Sequence, residues 1–530
     1  MINYTPASQL TLTTFTTPFD HHLREDNRWV KLAVIIPWDQ MAAIYASKLD
    51  PNSGRQCVNI RTILAAIIVK HRLKMSDRET VDSISENLYL QFFAGYPSFD
   101  NRPPFDASLF VDIRKRIGVE EFDKMTCLLL KQVENAEQQA RKKKHSSSKK
   151  NRDSGTEGQS PDGSEDKPVK PSEELNLPNQ GQLKLDATAC DQAITYPTDL
   201  KLINRAREES ERLIDELFGL LPPKTTKPRT YRRIARKWYM NIAQNRNKTR
   251  SKIRKALGKQ LRYLKRNLGH IEKLLDQLTD QRFPLNQRDQ HIYWVIQQVF
   301  EQQAKMHKEK THSCPDRIVN IYQPYVRPIV RGKDKNKVEF GAKIGVSEHN
   351  GFCRIDHFSW DAYNESKDLN GQVTAYRHQY GYWPEVVLAD RIYLNRENRN
   401  WLKEKGIRIS GKPLGRPPKE QMTAYQKRKR NKERNQRNHI ESKFGQAKNG
   451  YGLNNIRAKR SDTSKSWISA IFFVMNLITY GKAMSGKFTF WVKRHVIATI
   501  HRACRHLNQN IAQLSVDGKL NVSISQCVLA

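Results

Sequence analysis

The segment from Arg437 to Lys448 places a single carboxylate, Glu441, in a strongly basic stretch. Arg437 precedes Glu441 by four residues and Lys448 follows it by seven, so a helix would present all three side chains on one face. A lone acid between cations suits a hard metal ion held close to a phosphodiester backbone. The segment therefore predicts chemistry on a nucleic acid.

Two aspartates upstream extend this hypothesis. Asp186 ends the apolar run Leu183-Lys-Leu, and Asp390 ends the run Val386-Val-Leu-Ala. Each short run predicts a buried strand. Two strand-end aspartates and one helical glutamate form the acidic triad typical of a metal-dependent polynucleotidyl transferase. Cys190 lies close to Asp186, and we interpret it as a small structural residue rather than a nucleophile.

The charge of the chain points to a polyanionic partner. The 530 residues include 92 Lys and Arg against 55 Asp and Glu, a net charge of +37. Nucleic acid is the simplest such partner, and a membrane surface is the alternative. The longest apolar run, from Trp467 to Tyr480, contains Asn476 and is too short to cross a bilayer. Seven cysteines without a C-x-x-C spacing argue for a reducing compartment and against a zinc finger.

The elements that position the triad read as a mixed α/β domain. Asn350-Gly351 predicts a hairpin turn between two strands, and a strand, a helix, a short strand and a long helix follow. This order fits a ribonuclease H-like fold, although periodicity alone supports only a mixed α/β domain. The predicted elements after the first strand are strands 338–347, 352–360 and 385–388, helix 396–405, strand 407–410 and a helix from about 420.

Helices are predicted before and within this domain. Ile60–Arg72 and the capping box Ser76-Asp-Arg-Glu79 indicate two short helices, which form either a helix-turn-helix or an ordinary hairpin. A stripe of apolar residues at steps of three and four from Ile253 to Leu278 predicts a long amphipathic helix with basic outer faces. This insertion either binds DNA or a second subunit, or packs on its own core as a solvated basic helix.

The chain resembles the bacterial insertion-sequence transposases of the DDE type, in the group with an InsH-like N-terminal domain. The likeness covers roughly residues 25–480. Arg437, Glu441 and Lys448 fit the signature helix of that family, although Arg434 stands in place of its usual Tyr, and Arg391 stands where many relatives carry Lys. The matching blocks are Leu185-Asp-Ala-Thr188, Asp316-Arg-Ile-Val319, Gln323 to Lys333, Glu339-Phe-Gly-Ala-Lys343, Trp360-Asp-Ala-Tyr-Asn-Glu365, Ala389-Asp390, Leu414-Gly-Arg-Pro-Pro-Lys419 and the Glu441 block.

The resemblance implies a domain plan. We expect an all-α, DNA-binding N-terminal domain at 1–140 and a disordered polar linker at 141–180. A ribonuclease H-like catalytic domain at 181–484 follows, with a large basic helical insertion at about 197–315. The remaining residues, 485–530, form a basic C-terminal tail without a clear motif.

The resemblance also implies the site and its partners. Asp186, Asp390 and Glu441 would be catalytic residues that hold Mg²⁺, two ions in all, with Mn²⁺ able to substitute. Arg437, Lys448 and Arg391 would contact DNA. Asp361 and Glu365 belong to a family block, which leaves a positioning role open beside surface solvation. The expected partner is double-stranded DNA, both the terminal repeats of the element and its target. A homodimer or higher oligomer in the cytoplasm, on the bacterial nucleoid and without a membrane, is the expected setting.

Three functions are compatible with the sequence. The first is a transposase that binds the ends of an insertion sequence and catalyses metal-dependent strand cleavage and transfer. The second is a catalytically inactive or repurposed relative that binds DNA without cutting it. The third is a ribonuclease H-like nuclease or resolvase unrelated to transposition, against which the N-terminal half and the Gly-Arg-Pro-Pro-Lys block argue.

Overall fold

A computed structural model describes residues 2–6, 9, 15–17, 22–52, 54, 56–149, 178–223, 225–278, 283–330, 338–411 and 423–485, with the backbone alone at 140–149. The fold is mixed α/β, as the sequence predicts, with a helical N-terminal region followed by a sheet. The Gly-Arg-Pro-Pro-Lys block, most of the predicted linker and nearly all of the predicted C-terminal tail lie outside the described residues.

Helices make up the N-terminal region. Helix α3 is its centre: it is apolar on nearly every side, which is typical of a helix surrounded by protein, and 12 of its 14 residues are buried. It contacts the helices before and after it in the chain. The bounds are α1 Arg28–Ile35, α2 Trp38–Ala46, α3 Ile60–Leu73, α4 Asp77–Glu86, α5 Leu88–Ala94, α6 Leu109–Arg116 and α7 Val119–Lys149.

The predicted capping box is present at the start of α4. The Ser76 hydroxyl accepts the Glu79 amide at 3.2 Å, and the Glu79 carboxylate accepts the Ser76 amide at 2.6 Å. The charged residues at exposed positions of α4 are Arg78, Glu79, Asp82 and Glu86. Three carboxylates against one cation do not suit a helix that enters a DNA groove. The α3–α4 pair therefore favours an ordinary helical hairpin over a helix-turn-helix reader.

Six strands of the described residues form one sheet in the order β2–β3–β1–β5–β6, and β4 also pairs with β3. Strand β3 is antiparallel to β1, β2 and β4, whereas β5 is parallel to both β1 and β6. Strands β2 and β4 share one edge of β3, since β1 occupies the other. The bounds are β1 Gln182–Asp191, β2 Arg327–Val330, β3 Val338–His349, β4 Phe352–Ser359, β5 Val386–Ala389 and β6 Arg408–Ile409.

Two sequence predictions about strands need correction. Strand β1 does not end at Asp186 but continues to Asp191, because the small buried residues after Asp186 keep pairing with β3 as far as Gly341. Strand β2 is also absent from the predicted set. It contains Pro328, which is tolerated because β2 is an edge strand.

The predicted hairpin between β3 and β4 is confirmed. Asn350 and Gly351 both have positive φ, 50° and 88°, which a type I′ turn requires of its two central residues. The turn sets the register in which His349 lies opposite Phe352. Strands β3 and β4 thus form a stiff antiparallel unit beside β1.

Helices cover both faces of the sheet. Helices α12 and α13 bury one face with Leu183 and Leu185 of β1. Helices α14 and α15 lie on the other, together with Ile344 and Val346 of β3. The bounds are α12 Leu369–Tyr380, α13 Arg396–Glu404, α14 Ala424–Tyr451 and α15 Ser461–Ser485.

Helix α15 ties the N-terminal helices to the sheet. Its apolar residues belong to the same hydrophobic core as α3, α5 and α7, and Asn476 bonds both the amide and the carbonyl of Cys353 on β4, at 2.9 and 2.7 Å. By length and composition α15 is the one described helix that could cross a membrane, yet two thirds of its apolar window is buried inside the protein. Helix α15 is therefore a core helix of the protein.

The insertion between β1 and β2 is helical and has its own core. The apolar stripe predicted from Ile253 to Leu278 lies on α10, where Leu264 and Ile271 are fully buried against α8 and α11. The stripe is therefore covered within this chain, and its basic outer faces remain exposed. The bounds are α8 Asp199–Gly219, α9 Arg232–Ala243, α10 Arg250–Asp276 and α11 Gln287–Glu309.

Candidate functional site

The parallel pairing of β1 with β5 brings Asp186 and Asp390 together. The last paired residues are Leu185 and Ala389, so the next residue on each strand is one of the two aspartates. Side chains at equivalent positions of neighbouring strands point to the same face of a sheet. Asp186 lies opposite Val346 of β3, whose side chain packs in the core on the α14 side, so both aspartates face α14.

Helix α14 carries the remaining predicted residues over this face. Thr423 and Gln426 form a capping box at its start, and Gly452 with φ 74° ends it. Ile440 and Phe444 anchor it in the core below. Arg437 and Glu441, one turn apart, form an ion pair of 2.7 Å in which the Glu441 side chain is 50% exposed.

The environment of Asp186 joins these elements into one site. Burial raises the pKa of its carboxyl to about 6, against a hydrogen bond from the Ala187 amide that lowers it. The carboxylates of Glu365 and Asp390 raise the pKa further, and the Arg437 guanidinium lowers it. Two further acids and one cation therefore act electrostatically on Asp186. Clustered acids with a displaced pKa are typical of functional sites.

Glu365 is the residue of this site whose position the sequence left open. Lys343 of β3 pairs with it at 2.8 Å, and both side chains are largely buried. Lys343 also donates to the carbonyl of Tyr363 at 2.8 Å, which fixes the turn that carries Glu365. The signal was present in the sequence, since Lys343 and Glu365 end two of the family blocks.

A second acid group lies behind Glu365. His357 Nδ1 and Asp368 Oδ1 are 2.7 Å apart, and the Tyr363 ring packs against the His357 ring with 4.2 Å between their centroids. A Cβ at Gly345 would lie 3.0 Å from Asp368 and 3.2 Å from the Tyr363 hydroxyl, so glycine is needed for this close packing. The side chains of His357, Tyr363 and Asp368 thus support the turn that carries Glu365.

The fit of a metal ion to this site is partial. The described residues contain no group of three or more His, Cys, Asp or Glu that could hold one as they stand. Asp186 and Asp390 supply adjacent carboxylate oxygens, the donors that Mg²⁺ prefers. Glu441 is held by Arg437 instead.

Arg391 and Lys448 stand apart from the three acids. The Arg391 amide donates to the Asp390 carboxylate at 2.7 Å, so Asp390 caps the short 3₁₀ turn that follows β5, while the Arg391 side chain is exposed. Lys448 reaches Glu339 at the start of β3, with 3.4 Å between Nζ and Oε1. The structure therefore brings Arg437 to the aspartates and places Lys448 two helical turns beyond Glu441.

Comparison with known proteins identifies two segments of this chain. Residues 387–478 match the family described as Transposase DDE domain, and residues 17–116 match the Transposase domain (DUF772). The first segment contains Asp390 and Glu441, and the second contains α1 to α6. The two matches together support an insertion-sequence DDE transposase, which is the family that the sequence resemblance indicates.

A curated relative covers a shorter stretch. The "Uncharacterized protein ORF8 in nfe locus" of Rhizobium meliloti is 34% identical over 96 residues, which is 18% of this chain and 46% of that protein. The chain thus spans less than half the length of the curated relative that it matches. No solved structure matches the chain.

Proposed function

We propose that this chain is a DNA transposase that binds the ends of an insertion sequence and catalyses strand cleavage and strand transfer at the site of Asp186, Asp390 and Glu441. The observation that carries the proposal is the adjacency of Asp186 and Asp390 on parallel neighbouring strands beneath a basic helix. The matches to two transposase domains support the proposal, because transposases act on DNA. Its setting would be the bacterial nucleoid.

A ribonuclease H-like core is part of the proposal. The antiparallel unit β4–β3–β1 continues into the parallel strands β5 and β6, with helices on both faces, which is the arrangement expected of that fold. The DDE transposase family implies the same core. The helical insertion between β1 and β2 leaves this arrangement intact, since it forms its own core.

The reaction requires two in-line phosphoryl transfers. In the first, water attacks the phosphorus at the element end, the bond to the 3′ oxygen breaks, and a free 3′-OH remains. In the second, that hydroxyl attacks a target phosphorus and displaces the target 3′ oxygen. Mg²⁺, or Mn²⁺ in its place, would be held by Asp186, Asp390 and Glu441 and would activate the nucleophile and neutralise phosphate charge.

The pairing of Arg437 with Glu441 is weak enough to permit this role. An exposed ion pair one helical turn apart stabilises a protein by only about 0.3–0.5 kcal/mol. Glu441 is half exposed and can therefore turn toward the aspartates at little cost. Arg437 is then free for a phosphate oxygen near the scissile bond.

Further cations suit a DNA backbone close to the acids. Helix α14 has nine Lys and Arg against two Glu, and its residues from 424 to 432 are exposed. Arg391 is exposed directly after Asp390. We propose that Arg437, Arg391 and Lys448 contact phosphates, which would position the strand without reading its sequence. A homodimer or higher oligomer would hold both element ends.

The ion pair between Arg437 and Glu441 also supports a second candidate, an inactive relative that binds DNA without cutting it. In that case Arg437 would hold Glu441 away from the aspartates permanently. The test is an assay of the purified chain with a plasmid that carries its gene and native flanking DNA, in Mg²⁺ and in EDTA. An active transposase releases ends with free 3′-OH groups and joins them to target DNA only in Mg²⁺. Binding of the flanks without any nicked or joined product would favour the inactive relative.

A further inference from the structure

A basic cleft of about 440 Å³ separates the N-terminal helices from the catalytic half of the chain. The end of α3 and the α3–α4 turn form one wall. The end of α14 and the loop after it form the other, with Trp467 of α15 at the base. The cleft lies between the two segments that match transposase families, at 17–116 and 387–478.

The lining of this cleft is positively charged. Lys70 and Lys74 contribute from the first wall, and Lys448 and Arg457 from the second. The other polar lining residues include three amides, and among the described residues that line the cleft none is acidic. Neutral donors and cations without a lining carboxylate are the groups that bind a phosphodiester.

Part of this charge serves the fold. Lys70 is 2% exposed and pairs with Asp77 at 2.8 Å, and Lys74 donates to the carbonyl of Asn449 at 2.9 Å. Helices α3 and α14 both end here, and each C-terminus carries about half a negative charge. Glu339 pairs with Lys448. These contacts neutralise part of the positive charge of the cleft.

The balance of charge remains positive. Arg72 donates to the Tyr451 hydroxyl at 3.3 Å, and Arg114 pairs with Asp77 at 2.8 Å, which adds two cations beside the four of the lining. Three carboxylates, those of Asp77, Glu79 and Glu339, pair with these cations or act on them electrostatically. Six cations against three carboxylates and two helix ends of about half a charge each leave a net charge of roughly +2. An anion is the natural occupant.

We propose that this cleft binds the phosphate backbone of DNA and that one duplex contacts both halves of the protein there. The inference rests on the proposed function, because it takes DNA as the partner. Lys448 lies seven residues from Glu441 along α14, or about 10 Å at 1.5 Å per residue. That distance corresponds to about three base pairs at 3.4 Å each. The cleft would therefore grip the duplex roughly three base pairs from the reacting phosphate.

The test uses the full-length chain with Lys74→Gln and Arg457→Gln combined. Affinity for a fluorescent generic duplex is measured across a salt series in EDTA, so that cleavage plays no part. Loss of two phosphate contacts should reduce the slope of log affinity against log salt by about 1.8 and weaken binding roughly 60-fold at 0.1 M salt. The matched control is Lys124→Gln with Lys131→Gln, two exposed lysines of α7 outside the cleft.

Four further results decide the proposal. Restored binding in the charge-conserving variant Lys74→Arg with Arg457→Lys supports it. An unchanged slope in the folded glutamine variant overturns it, as does an equal loss in the α7 control, which would indicate a diffuse charge effect. Tight binding of inorganic phosphate without any change in the DNA slope would assign the cleft to a small anion instead. Arg457→Gln alone repeats the test with an exposed residue if the double variant unfolds.

Failure of this inference is separate from failure of the proposed function. The salt series reports binding alone, whereas the activity assay reports new 3′-OH ends and joined products. If the wild type cuts DNA but the cleft variant has an unchanged slope, the cleft proposal fails and the proposed transposase function stands. If the slope changes in the cleft variant but the wild type forms no products, the cleft proposal stands and the inactive relative is favoured.

Discussion

Asp186 and Asp390 occupy equivalent positions on two parallel neighbouring strands, one residue beyond the last paired positions Leu185 and Ala389. They are 204 residues apart in the chain, and the long helical insertion between them forms its own core. The closeness of the two aspartates depends only on the pairing of β1 with β5. Each of these strands is also held by its other neighbour in the sheet, β3 or β6. Two carboxylates are thus held close together on the face of the sheet that α14 covers.

The ion pair between Lys343 and Glu365 should stabilise both the fold and the position of Glu365. Lys343→Met leaves a largely buried carboxylate without its partner, and we expect a loss of about 1–3 kcal/mol in the free energy of unfolding. Urea denaturation measures this loss. Lys343→Arg is the matched control, because it keeps the charge. Equal stability of the Met and Arg variants would show that the pair contributes nothing.

Asp356 on β4 should give the stability a pH dependence. Burial raises its pKa to about 6, against hydrogen bonds from Ser347 and Gln372 that lower it. A raised carboxyl pKa favours the folded state only while the group is protonated. This contribution is complete below about pH 4 and is lost as the pH rises through about 6. Asp356→Asn should therefore gain stability relative to the wild type across this window, on the order of 1–3 kcal/mol.

Denaturation of both proteins in steps from pH 4 to pH 7 measures this difference. Asp82→Asn, an exposed residue of α4, controls for the general effect of one carboxylate less. A stability difference between Asp356→Asn and the wild type that does not change with pH would contradict the raised pKa of this carboxyl.

The sequence anticipated most of the sheet because its signals there are local. The Asn350-Gly351 turn, the apolar run before Asp390 and the capping box at Ser76 each depend on a few adjacent residues. The extension of β1 beyond Asp186 was missed, since it depends on pairing with a strand some 150 residues away. Strand β2 was missed because proline, here Pro328, is accepted in a strand only at a sheet edge, and the edge position of β2 is set by its pairing with β3.

The candidate site was anticipated in part. The triad followed from spacing and from the family resemblance, and its catalytic role stays a prediction. The electrostatic effect of Glu365 on Asp186 depends on how Lys343 of β3 holds the turn after β4, which no local pattern encodes. The partner of Lys448 also depends on tertiary structure. Spacing along the helix placed Lys448 near Glu441, whereas the fold pairs Lys448 with Glu339.

The shared core has a consequence for truncation. Trp38 and Tyr45 of α2 belong to the same core as Ile471 and Tyr480 of α15. Deleting residues 1–140 would uncover a large apolar face of α15, so we expect the remainder to lose cooperative unfolding or to aggregate. Thermal denaturation followed by circular dichroism tests this. A soluble remainder with a sharp transition would show that the N-terminal helices are an independent domain.

Arg437 should contribute to DNA binding as well as to the acid cluster. Arg437→Gln removes one phosphate contact, so the slope of log affinity against log salt should fall by about 0.9. The helix should persist, because Gln is a comparable helix former. Lys403→Gln, an exposed lysine of α13, is the control for one lost charge. An unchanged slope with an intact helix would mean that Arg437 serves only Glu441.

The most direct test of the proposed function is cleavage of element-end DNA by Asp186→Asn, Asp390→Asn and Glu441→Gln. Each change removes a carboxylate charge at nearly constant volume, and Glu404→Gln, an exposed acid of α13, is the control. We expect all three variants to lose Mg²⁺-dependent cleavage while they bind the ends as the wild type does, and we expect the control to cut normally. Normal cleavage by Asp186→Asn or Asp390→Asn would contradict the proposed function, because the adjacent pair would then have no part in the chemistry.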